Sequence, residues 1–378
     1  MRRVWPWVIT SQIIAGLTAA CGNEPAASPP STEADASVDR QMPLIRQVSL
    51  QIDPEIAPEQ LNRPIAVSSG GHIAFVRSSR SQDHQVTIVD SLGRLTGRLG
   101  RSGQGPGELS GSLWLKFADT ILAAVDLDQA RLSRYHVDGT FLGTRQIKFG
   151  VRPLEVSADS FDYLDRVNGE AAEIRRAAIV SKQDRILVPA TDTFLPKVTA
   201  GNRAAGLDVP PYGAHGAVVA LADPISYVIQ YFSSEGKPVG SVRREIEARH
   251  RTPAEIARDA EAIESRQRTF RTPDGRRMPM PGTQARIDSL PLQTLPHFSR
   301  NGVGFDARRR LWVIGEANDS TFADVFADTA FLGRQMLPCS DHRRSVALNG
   351  RWLVLLCAAR DTSDVEAEIQ LYRIDEPN

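Results

Sequence analysis

The stretch Leu132-Ser-Arg-Tyr135-His-Val-Asp138-Gly139-Thr-Phe-Leu-Gly143 contains the pattern that decides the fold. A strand-forming run leads into the turn pair Asp138-Gly139, and a second short strand follows. Three similar stretches are Val86-Thr-Ile-Val-Asp90-Ser-Leu-Gly93-Arg-Leu-Thr-Gly97, Tyr227-Val-Ile-Gln-Tyr231-Phe-Ser-Ser-Glu235-Gly236-Lys-Pro-Val-Gly240 and Phe322-Ala-Asp-Val-Phe326-Ala-Asp328-Thr-Ala-Phe-Leu-Gly333. The last of them lacks the turn glycine. The chain therefore repeats one hairpin unit.

Each hairpin is expected to form the two outer strands of a blade. One blade cannot bury both of its faces alone, so such units must stack around an axis. Further short strand-type runs, separated by glycine, aspartate and asparagine turns, continue from about Val48 onward. The sequence therefore predicts an all-β fold, and the repetition favours a β-propeller over a sandwich or a barrel.

Two further segments resemble the bacterial six-bladed propellers related to the NHL-repeat family. One is Leu99-Gly100-Arg101-Ser102-Gly103-Gln104-Gly105-Pro106-Gly107-Glu108, because a glycine-rich run ending in Gly-Pro-Gly-Glu commonly joins one blade to the next in these proteins. The other is Arg310-Leu-Trp312-Val, an inner-strand pattern that follows a turn. The resemblance covers most of residues 44 to 376, and it implies six blades. Strands cannot be placed securely between residues 151 and 214.

The last blade is predicted to take a strand from the beginning of the chain. Only three strands are expected there, over Ser345–Leu348, Trp352–Ala358 and Ile369–Ile374. Residues 48–52 alternate strictly between apolar and polar side chains, as a half-buried strand does. We therefore expect Val48–Ile52 to supply the fourth, outer strand, which would close the ring and remove exposed sheet edges.

Cys339 and Cys357 are the two cysteines of the predicted propeller. In an oxidising compartment they are expected to form a disulfide, which would staple the last blade. Two separate buried thiols are the alternative, since free cysteine is commonly a core residue.

A helical insertion is predicted at about residues 245–296, before the fifth blade. Thr252-Pro253-Ala254-Glu255 is a capping box with proline at the first helical position, and the helix should continue to about Phe270. A proline- and arginine-rich stretch follows it. We expect this insertion to lie over one mouth of the propeller.

Residues 1–20 have the order of a secretory signal peptide. Met1-Arg2-Arg3 is basic, Val4 to Ala20 carries no charge, and small residues precede Cys21. This arrangement resembles the bacterial lipobox, in which the cysteine thiol receives a lipid and the new N-terminus is acylated, for instance with palmitate. An ordinary secretory signal and an uncleaved membrane anchor are the alternatives; the apolar stretch is short for a spanning helix.

Residues 21–43 are predicted to be a flexible tether between the lipid and a propeller at residues 44–378. Gly22 to Arg40 contains almost nothing apolar and cannot offset its ordering entropy. Because Gly22 is not acidic, the outer membrane is favoured over the inner membrane, with the protein a monomer on its periplasmic or surface face.

The charge balance argues against nucleic acid as a partner. The chain has 45 Lys and Arg against 45 Asp and Glu, a net charge of +0, and no long basic block. Phosphate binding needs clustered basic residues. No second apolar segment is long enough to span a bilayer.

Propellers commonly bind ligands where their loops meet at the axial channel. The candidates for such a position are Glu108, Asp126, His215, His297 and Asp306. Some propeller lactonases hold calcium or zinc at the channel with side chains of these types, but no ordered set here matches theirs. Turn-capping aspartates and core-edge histidines are the alternative interpretation.

The insertion is locally rich in arginine. Arg271, Arg276 and Arg277 are candidates for binding an acidic envelope ligand. Neighbouring glutamates and aspartates offset many of these charges, so a solvated helix with intrahelical ion pairs is the alternative.

The favoured function is a non-catalytic propeller scaffold that is anchored in the envelope and binds a protein or a glycan. The alternative is a hydrolase or lactonase with calcium or zinc at the channel, and a sensor of a small envelope ligand is a third hypothesis. Fold alone does not distinguish them.

Overall fold

The computed structural model is dominated by six four-stranded antiparallel sheets. It describes residues 42–58, 64–76, 85–167, 171–179, 183–188, 211–215, 218–233, 235–247, 249–265, 269–271, 277–279, 282–292, 294–317, 320–339, 345–358 and 367–375. Residues 1–41, with the predicted signal peptide, Cys21 and most of the tether, lie outside this range. Among the described residues, the helices lack the length and hydropathy of a membrane span.

The sheets follow one another along the chain as blades 1 to 6. The first strand, β1 (Leu44–Val48), belongs to blade 6. The others are β2 (Ile65–Val67), β3 (Ile73–Val76), β4 (Val86–Val89) and β5 (Leu95–Leu99) in blade 1; β6 (Leu113–Ala118), β7 (Ile121–Asp126), β8 (Arg131–His136) and β9 (Phe141–Gln146) in blade 2; β10 (Arg152–Val156), β11 (Ser160–Val167), β12 (Ala171–Ala178) and β13 (Asp184–Val188) in blade 3; β14 (Tyr212–His215), β15 (Val218–Asp223), β16 (Val228–Ser233) and β17 (Pro238–Arg243) in blade 4; β22 (Phe298–Phe305), β23 (Leu311–Ala317), β24 (Ser320–Ala327) and β25 (Ala330–Leu337) in blade 5; and β26 (Val346–Asn349), β27 (Trp352–Ala358) and β28 (Ala367–Asp375) in blade 6.

The first strands of the blades form a closed ring. Strand β2 contacts β6, β6 contacts β10, and the contacts continue through β14, β22 and β26 back to β2. These strands surround the axis, and the remaining strands of each blade follow outward. We call the four strands of a blade A to D from the axis outward. The prediction of an all-β, six-bladed propeller is confirmed.

The core consists of six apolar clusters, one at each contact between neighbouring blades. Strand β3 shows why the middle strands are continuous apolar runs. Ile73 and Phe75 pack toward blade 6, whereas Ala74 and Val76 pack toward blade 2. Both faces of the strand are buried, so alternation with polar residues disappears.

The four repeated hairpins form the C and D strands of blades 1, 2, 4 and 5, as predicted. The glycine-rich run before Glu108 joins blade 1 to blade 2. Arg310-Leu-Trp312-Val follows the turn between the A and B strands of blade 5, and its last three residues begin β23, the B strand.

Strand β1 closes the ring as the outermost strand of blade 6. It pairs antiparallel with β28, from Leu44 opposite Asp375 to Val48 opposite Leu371. The closure prediction is confirmed, but the strand lies over Leu44–Val48 and not over Val48–Ile52. The alternating apolar residues that suggested a strand there (Val48, Leu50 and Ile52) instead pack, partly buried, on the apolar cluster between blades 6 and 1.

The Cys339–Cys357 disulfide is present, with 5.5 Å between the two Cα atoms. Cys357 lies in β27 of blade 6, but Cys339 follows β25 of blade 5. Its carbonyl oxygen accepts hydrogen bonds from the backbone N–H (3.1 Å) and hydroxyl (2.7 Å) of Thr321 in blade 5. The disulfide therefore joins two blades, and the prediction that it lies within the last blade is wrong.

The insertion lies between blades 4 and 5, as predicted. The capping box is formed: the Thr252 backbone N–H donates to the Glu255 carboxylate (2.9 Å), and the Glu255 N–H donates to the Thr252 hydroxyl (3.2 Å). The helix ends at Ser265 and not near Phe270. The insertion contains β18 (Arg249–His250), α1 (Pro253–Ser265), β19 (Thr269–Arg271), β20 (Arg277–Pro279), α2 (Thr283–Ser289), a 3-10 turn (Leu290–Leu292) and β21 (Thr294–Leu295).

The two mouths of the propeller differ. One, which we call the AB mouth, is formed by the turns between the A and B strands of the blades. The other, which we call the linker mouth, is formed by the segments that join consecutive blades. Because the insertion leaves from the end of β17 and returns at the start of β22, it belongs to the linker mouth.

Candidate functional site

A cavity of about 1090 Å³ opens at the AB mouth. Turn residues of blades 2, 3, 5 and 6 form its rim, and inner-strand residues form its walls. Phe117 and Leu348 are buried apolar groups that line it, whereas Asp159 and Arg185 are exposed polar ones. A concave site lined by both apolar and polar groups is typical of ligand-binding sites.

The blade 3 side of this cavity contains a buried carboxylate, Asp162. Arg176 holds it through two hydrogen bonds, from Nε (2.6 Å) and from an Nη (2.7 Å), and the Tyr212 hydroxyl donates to it at 2.5 Å. Asp162 and Arg176 both line the cavity. Because charge-assisted, bidentate bonds fix geometry strongly, this part of the wall is rigid.

Lys116 and Glu155 form a second ion pair in the same wall. The Lys116 Nζ lies 3.1 Å from the Glu155 carboxylate, and their side chains are 22 % and 15 % exposed. Burial raises the pKa of Glu155, and Lys116 opposes that shift only in part. The pair offers a ligand both a donor and an acceptor within the cavity.

Of the five predicted channel residues, the structure brings His215 and Asp306 to this cavity. His215 is half-buried at the end of β14. Burial, followed by the neighbouring Arg309 guanidinium, lowers the pKa of His215. A neutral imidazole in this wall can donate one hydrogen bond and accept another.

The Asp306 carboxylate is fully used by its own turn. One oxygen accepts from the backbone N–H groups of Arg308 (2.9 Å) and Arg310 (3.0 Å). The other accepts from the Arg310 side chain (2.7 Å) and the Trp312 indole N–H (2.9 Å). Asp306 therefore caps the turn, which is the alternative that the sequence offered.

The other three candidates lie at the linker mouth. Asp126 accepts hydrogen bonds from the Ser110 backbone and hydroxyl, both at 2.7 Å. Glu108 accepts from the Gly105 N–H at 2.7 Å, inside the linker between blades 1 and 2. His297 is buried next to the Tyr227 ring, 5.9 Å between centroids, and burial lowers its pKa.

These five residues do not fit a calcium or zinc site, because they are divided between two mouths and Asp126 and Asp306 are already saturated. Within the described ranges, no group of three or more His, Cys, Asp or Glu side chains could hold a metal ion.

The arginine candidates of the insertion are placed only in part. Arg271 and Arg277 pair opposite each other in the β19–β20 hairpin. Arg276 lies outside the described residues. Because the insertion belongs to the linker mouth, these arginines are not at the large cavity, and their role in binding stays a prediction.

Sequence reasoning missed Lys116, Glu155, Asp162 and Arg176, which are charged residues of the cavity lining, as well as the exposed Asp159 and Arg185. One signal was available, since Lys116 interrupts the apolar run of Leu113–Ala118. The blade 3 residues lie in a region whose strands could not be placed from the sequence. Their pairing depends on which strands become neighbours.

Comparison with protein-family models and with curated proteins finds no match for this chain. Among solved structures, a member of the DUF4221 family from Bacteroides vulgatus aligns with a TM-score of 0.52 at 8 % identity, covering 90 % of this chain and 100 % of that one. A protein described as exported, from Bacteroides fragilis, aligns with a TM-score of 0.49 at 11 % identity, covering 91 % and 98 %. The PQQ-bound aldose sugar dehydrogenase of Streptomyces coelicolor gives 0.42 at 12 % identity, covering 88 % and 99 %.

At such identities the similarity shows the fold alone. The fold and the cavity define this protein as a six-bladed β-propeller with a wide polar mouth opposite a helical insertion.

Proposed function

We propose that this protein is an exported, lipid-anchored propeller that holds an envelope ligand in the AB-mouth cavity without transforming it. One observation carries the proposal: the cavity is large, and its carboxylates Asp162, Asp306 and Glu155 are each paired with a basic side chain of the protein. Side chains held in this way can bind a ligand through complementary shape and through hydrogen bonds. A general acid or base needs a carboxyl group that is free to exchange a proton with its substrate.

The shape of the cavity favours a glycan over a folded protein surface. Protein interfaces are broad, whereas this site is concave and about 1090 Å³ in volume. The Lys116–Glu155 pair and the exposed Asp159 and Arg185 can bind hydroxyl groups, and Phe117 lines the interior. A protein ligand would have to insert a narrow segment.

Export and anchoring rest on the sequence of residues 1–21. We propose that the signal peptide is removed, that Cys21 is acylated, and that the propeller stands off the outer membrane on its tether.

Binding is tested with the soluble protein from Gly22 onward, titrated calorimetrically with a panel of envelope oligosaccharides. Arg185→Ala should weaken the binding of a recognised glycan about tenfold, the typical effect of losing a hydrogen bond to a charged group. Arg98→Ala, which removes an exposed arginine from the outer strand β5, is the control and should change nothing. If no glycan binds, or if the two variants act alike, the glycan-binding proposal fails.

The catalytic alternative is tested by elemental analysis of the same protein, purified without chelator. We expect a folded protein with no stoichiometric calcium or zinc. A stoichiometric metal together with turnover of an ester or lactone would show an enzyme instead.

The anchor is tested by growing cells with a clickable palmitate analogue. The wild-type protein should be labelled and recovered with the outer membrane, and Cys21→Ala should be unlabelled. Equal labelling of both would exclude Cys21 as the acylation site.

A further inference from the structure

A second, smaller cavity of about 280 Å³ lies between blades 4 and 5, on the same side of the ring as the AB mouth. His215 and Phe305 line both cavities and therefore form the wall between them. The two cavities are therefore neighbours, separated by these two side chains.

The walls of the small cavity are mainly apolar. Val218, Leu311 and the ring of Tyr231 line it, and Val239 stands at its outer opening with 60 % of its surface exposed. The Tyr231 hydroxyl donates a hydrogen bond to a backbone acceptor, the carbonyl of Asp328, at 2.7 Å. An aliphatic or aromatic group therefore fits these walls better than a polar one.

Gly240 helps to keep this space open. It lies opposite Tyr231 in the β16–β17 pairing and also lines the cavity. A Cβ atom built at this position would meet only the Thr329 methyl group, at 3.5 Å, which is ordinary van der Waals contact. A larger side chain at residue 240 would therefore occupy the cavity without forcing the backbone to move.

The inner end of the small cavity carries a cation, Arg309. This residue has a positive φ of 63° and is held in the turn by donating its backbone N–H to the Asp306 carbonyl at 3.1 Å. Its guanidinium has no hydrogen-bond or ion-pair partner within the part of the chain that the structure describes. It lies close enough to His215 to disfavour the charged imidazolium.

The outer end carries the exposed carboxylate of Asp328, on the turn between the C and D strands of blade 5. Arg309, by contrast, is on the turn nearest the axis. The cavity thus runs outward from an inner cation, along apolar walls, to a solvated acidic rim. A bound anion is favoured at the inner end.

We infer that this cavity binds the apolar group of an amphiphile whose anionic group pairs with Arg309 at the AB mouth. A short acyl chain attached to a carboxylate or a phosphate has this chemistry. The inference rests on the proposed function, since it identifies the ligand of that mouth as an acylated, acidic envelope molecule.

Three probes of equal chain length test the charge requirement: octanoate, octan-1-ol and octylammonium, each titrated calorimetrically into the protein from Gly22 onward. Octanoate should bind about tenfold more tightly than octan-1-ol, as expected for a charge-assisted hydrogen bond, and octylammonium most weakly. Equal affinity for all three, a preference for octylammonium, or no binding of octanoate would overturn the inference.

Matched arginine variants locate the charge. Arg309→Asn removes the guanidinium, and asparagine tolerates the positive φ of this position. It should reduce octanoate affinity about tenfold, to the level of octan-1-ol, whose own affinity should not change. Arg308→Asn removes the neighbouring charge, which lines neither cavity, and should leave octanoate binding intact. Equal effects of the two variants would overturn the inference.

Gly240→Val fills the cavity and should abolish the binding of both octanoate and octan-1-ol, with unchanged circular dichroism. Retained binding would place the probes elsewhere. The two proposals fail separately: octanoate binding without glycan binding contradicts only the proposed function, and glycan binding without octanoate binding contradicts only this inference.

Discussion

Asp324 is a fully buried carboxylate that ties blade 5 to blade 4. Within blade 5 it accepts two hydrogen bonds from Arg334, at 2.6 and 2.8 Å. From blade 4 it accepts one from Arg244, at 2.5 Å, and one from the Tyr227 hydroxyl. Burial and the Asp324 charge together raise the pKa of Tyr227, so the phenol stays protonated and continues to donate.

We expect Asp324→Asn to lower the free energy of unfolding by about 1.5–3 kcal/mol, because it removes the charge from the hydrogen bonds of a fully buried carboxylate, while Arg244 and Arg334 are 25 % and 31 % exposed and remain partly solvated. Asp328→Asn removes an exposed carboxylate nearby and should change stability by less than about 0.5 kcal/mol. Urea unfolding of both variants measures the difference. A loss below about 1 kcal/mol for Asp324→Asn would show that the charge of this carboxylate does not stabilise the contact between the two blades.

Glu155 makes the stability of the protein depend on pH. Its pKa is raised by burial from the ordinary value of 4.5, so the folded protein binds the proton more tightly than the unfolded chain does. The contribution of protonated Glu155 to stability is fully present below the pKa that this residue has in the unfolded chain. It is lost as the pH rises through the pKa that the residue has in the folded protein.

In Glu155→Gln this loss should be absent, because glutamine does not titrate. From pH 4.5 upward, wild-type stability should therefore decrease relative to Glu155→Gln until the folded pKa is passed. Urea unfolding of both proteins across this pH range measures it. Parallel pH curves would show that Lys116 fully compensates the burial of the carboxylate.

At the scale of elements, the capping box holds the insertion in place. Glu255 not only accepts from the Thr252 N–H but also pairs with Arg249 (2.7 Å), which lies 3.6 Å from Glu316 of blade 5. One carboxylate therefore starts helix α1 and connects it to the propeller.

Glu255→Ala should open the insertion locally without unfolding the ring, since caps contribute about 1 kcal/mol and the insertion is peripheral. We expect faster hydrogen exchange over residues 249–265, with blade amides unchanged. Glu261→Ala changes an exposed glutamate of the same helix and should leave exchange as in the wild type. Faster exchange throughout the blades would contradict this local role.

An element could be predicted where the residues that determine it lie close together in the sequence. The four hairpins, the capping box and the inter-blade linker were predictable, because turn and cap residues act on their immediate neighbours. The position of β1 was not: residues 48–52 alternate as a strand does, but Leu44–Val48 pairs with β28 at the far end of the chain. Blade 3 was missed because its strands carry charged residues that are paired only in the folded sheet.

The candidate site was less predictable than the fold. Asp126 and Asp306 were selected by residue type, but their carboxylates serve their own turns. Arg309 and Gly240 carry no sequence signal, because their importance arises only where blade 4 meets blade 5.

At the scale of the whole molecule, two connections seal the ring at its last blade: β1 on the outer edge and the disulfide toward blade 5. The cysteines are 18 residues apart. A bond closing such a loop should stabilise the protein by about 3 kcal/mol through the entropy of the unfolded chain.

Reducing agent should therefore lower the free energy of unfolding of the wild-type protein by about 3 kcal/mol. It should not affect the Cys339→Ala/Cys357→Ala double variant. Thiol titration confirms that reduction is complete. Unchanged wild-type stability after complete reduction would show that the blades hold together without the bond.

The pairing of Leu44 with Asp375 also means that the chain could begin in a different blade. These two residues are neighbours in space, so a short peptide can join them, and the chain can be given new ends in an exposed turn such as Asp138-Gly139. The resulting circular permutant would contain every strand in its present place. The blade that combines strands from both ends of the chain would then be blade 2 instead of blade 6.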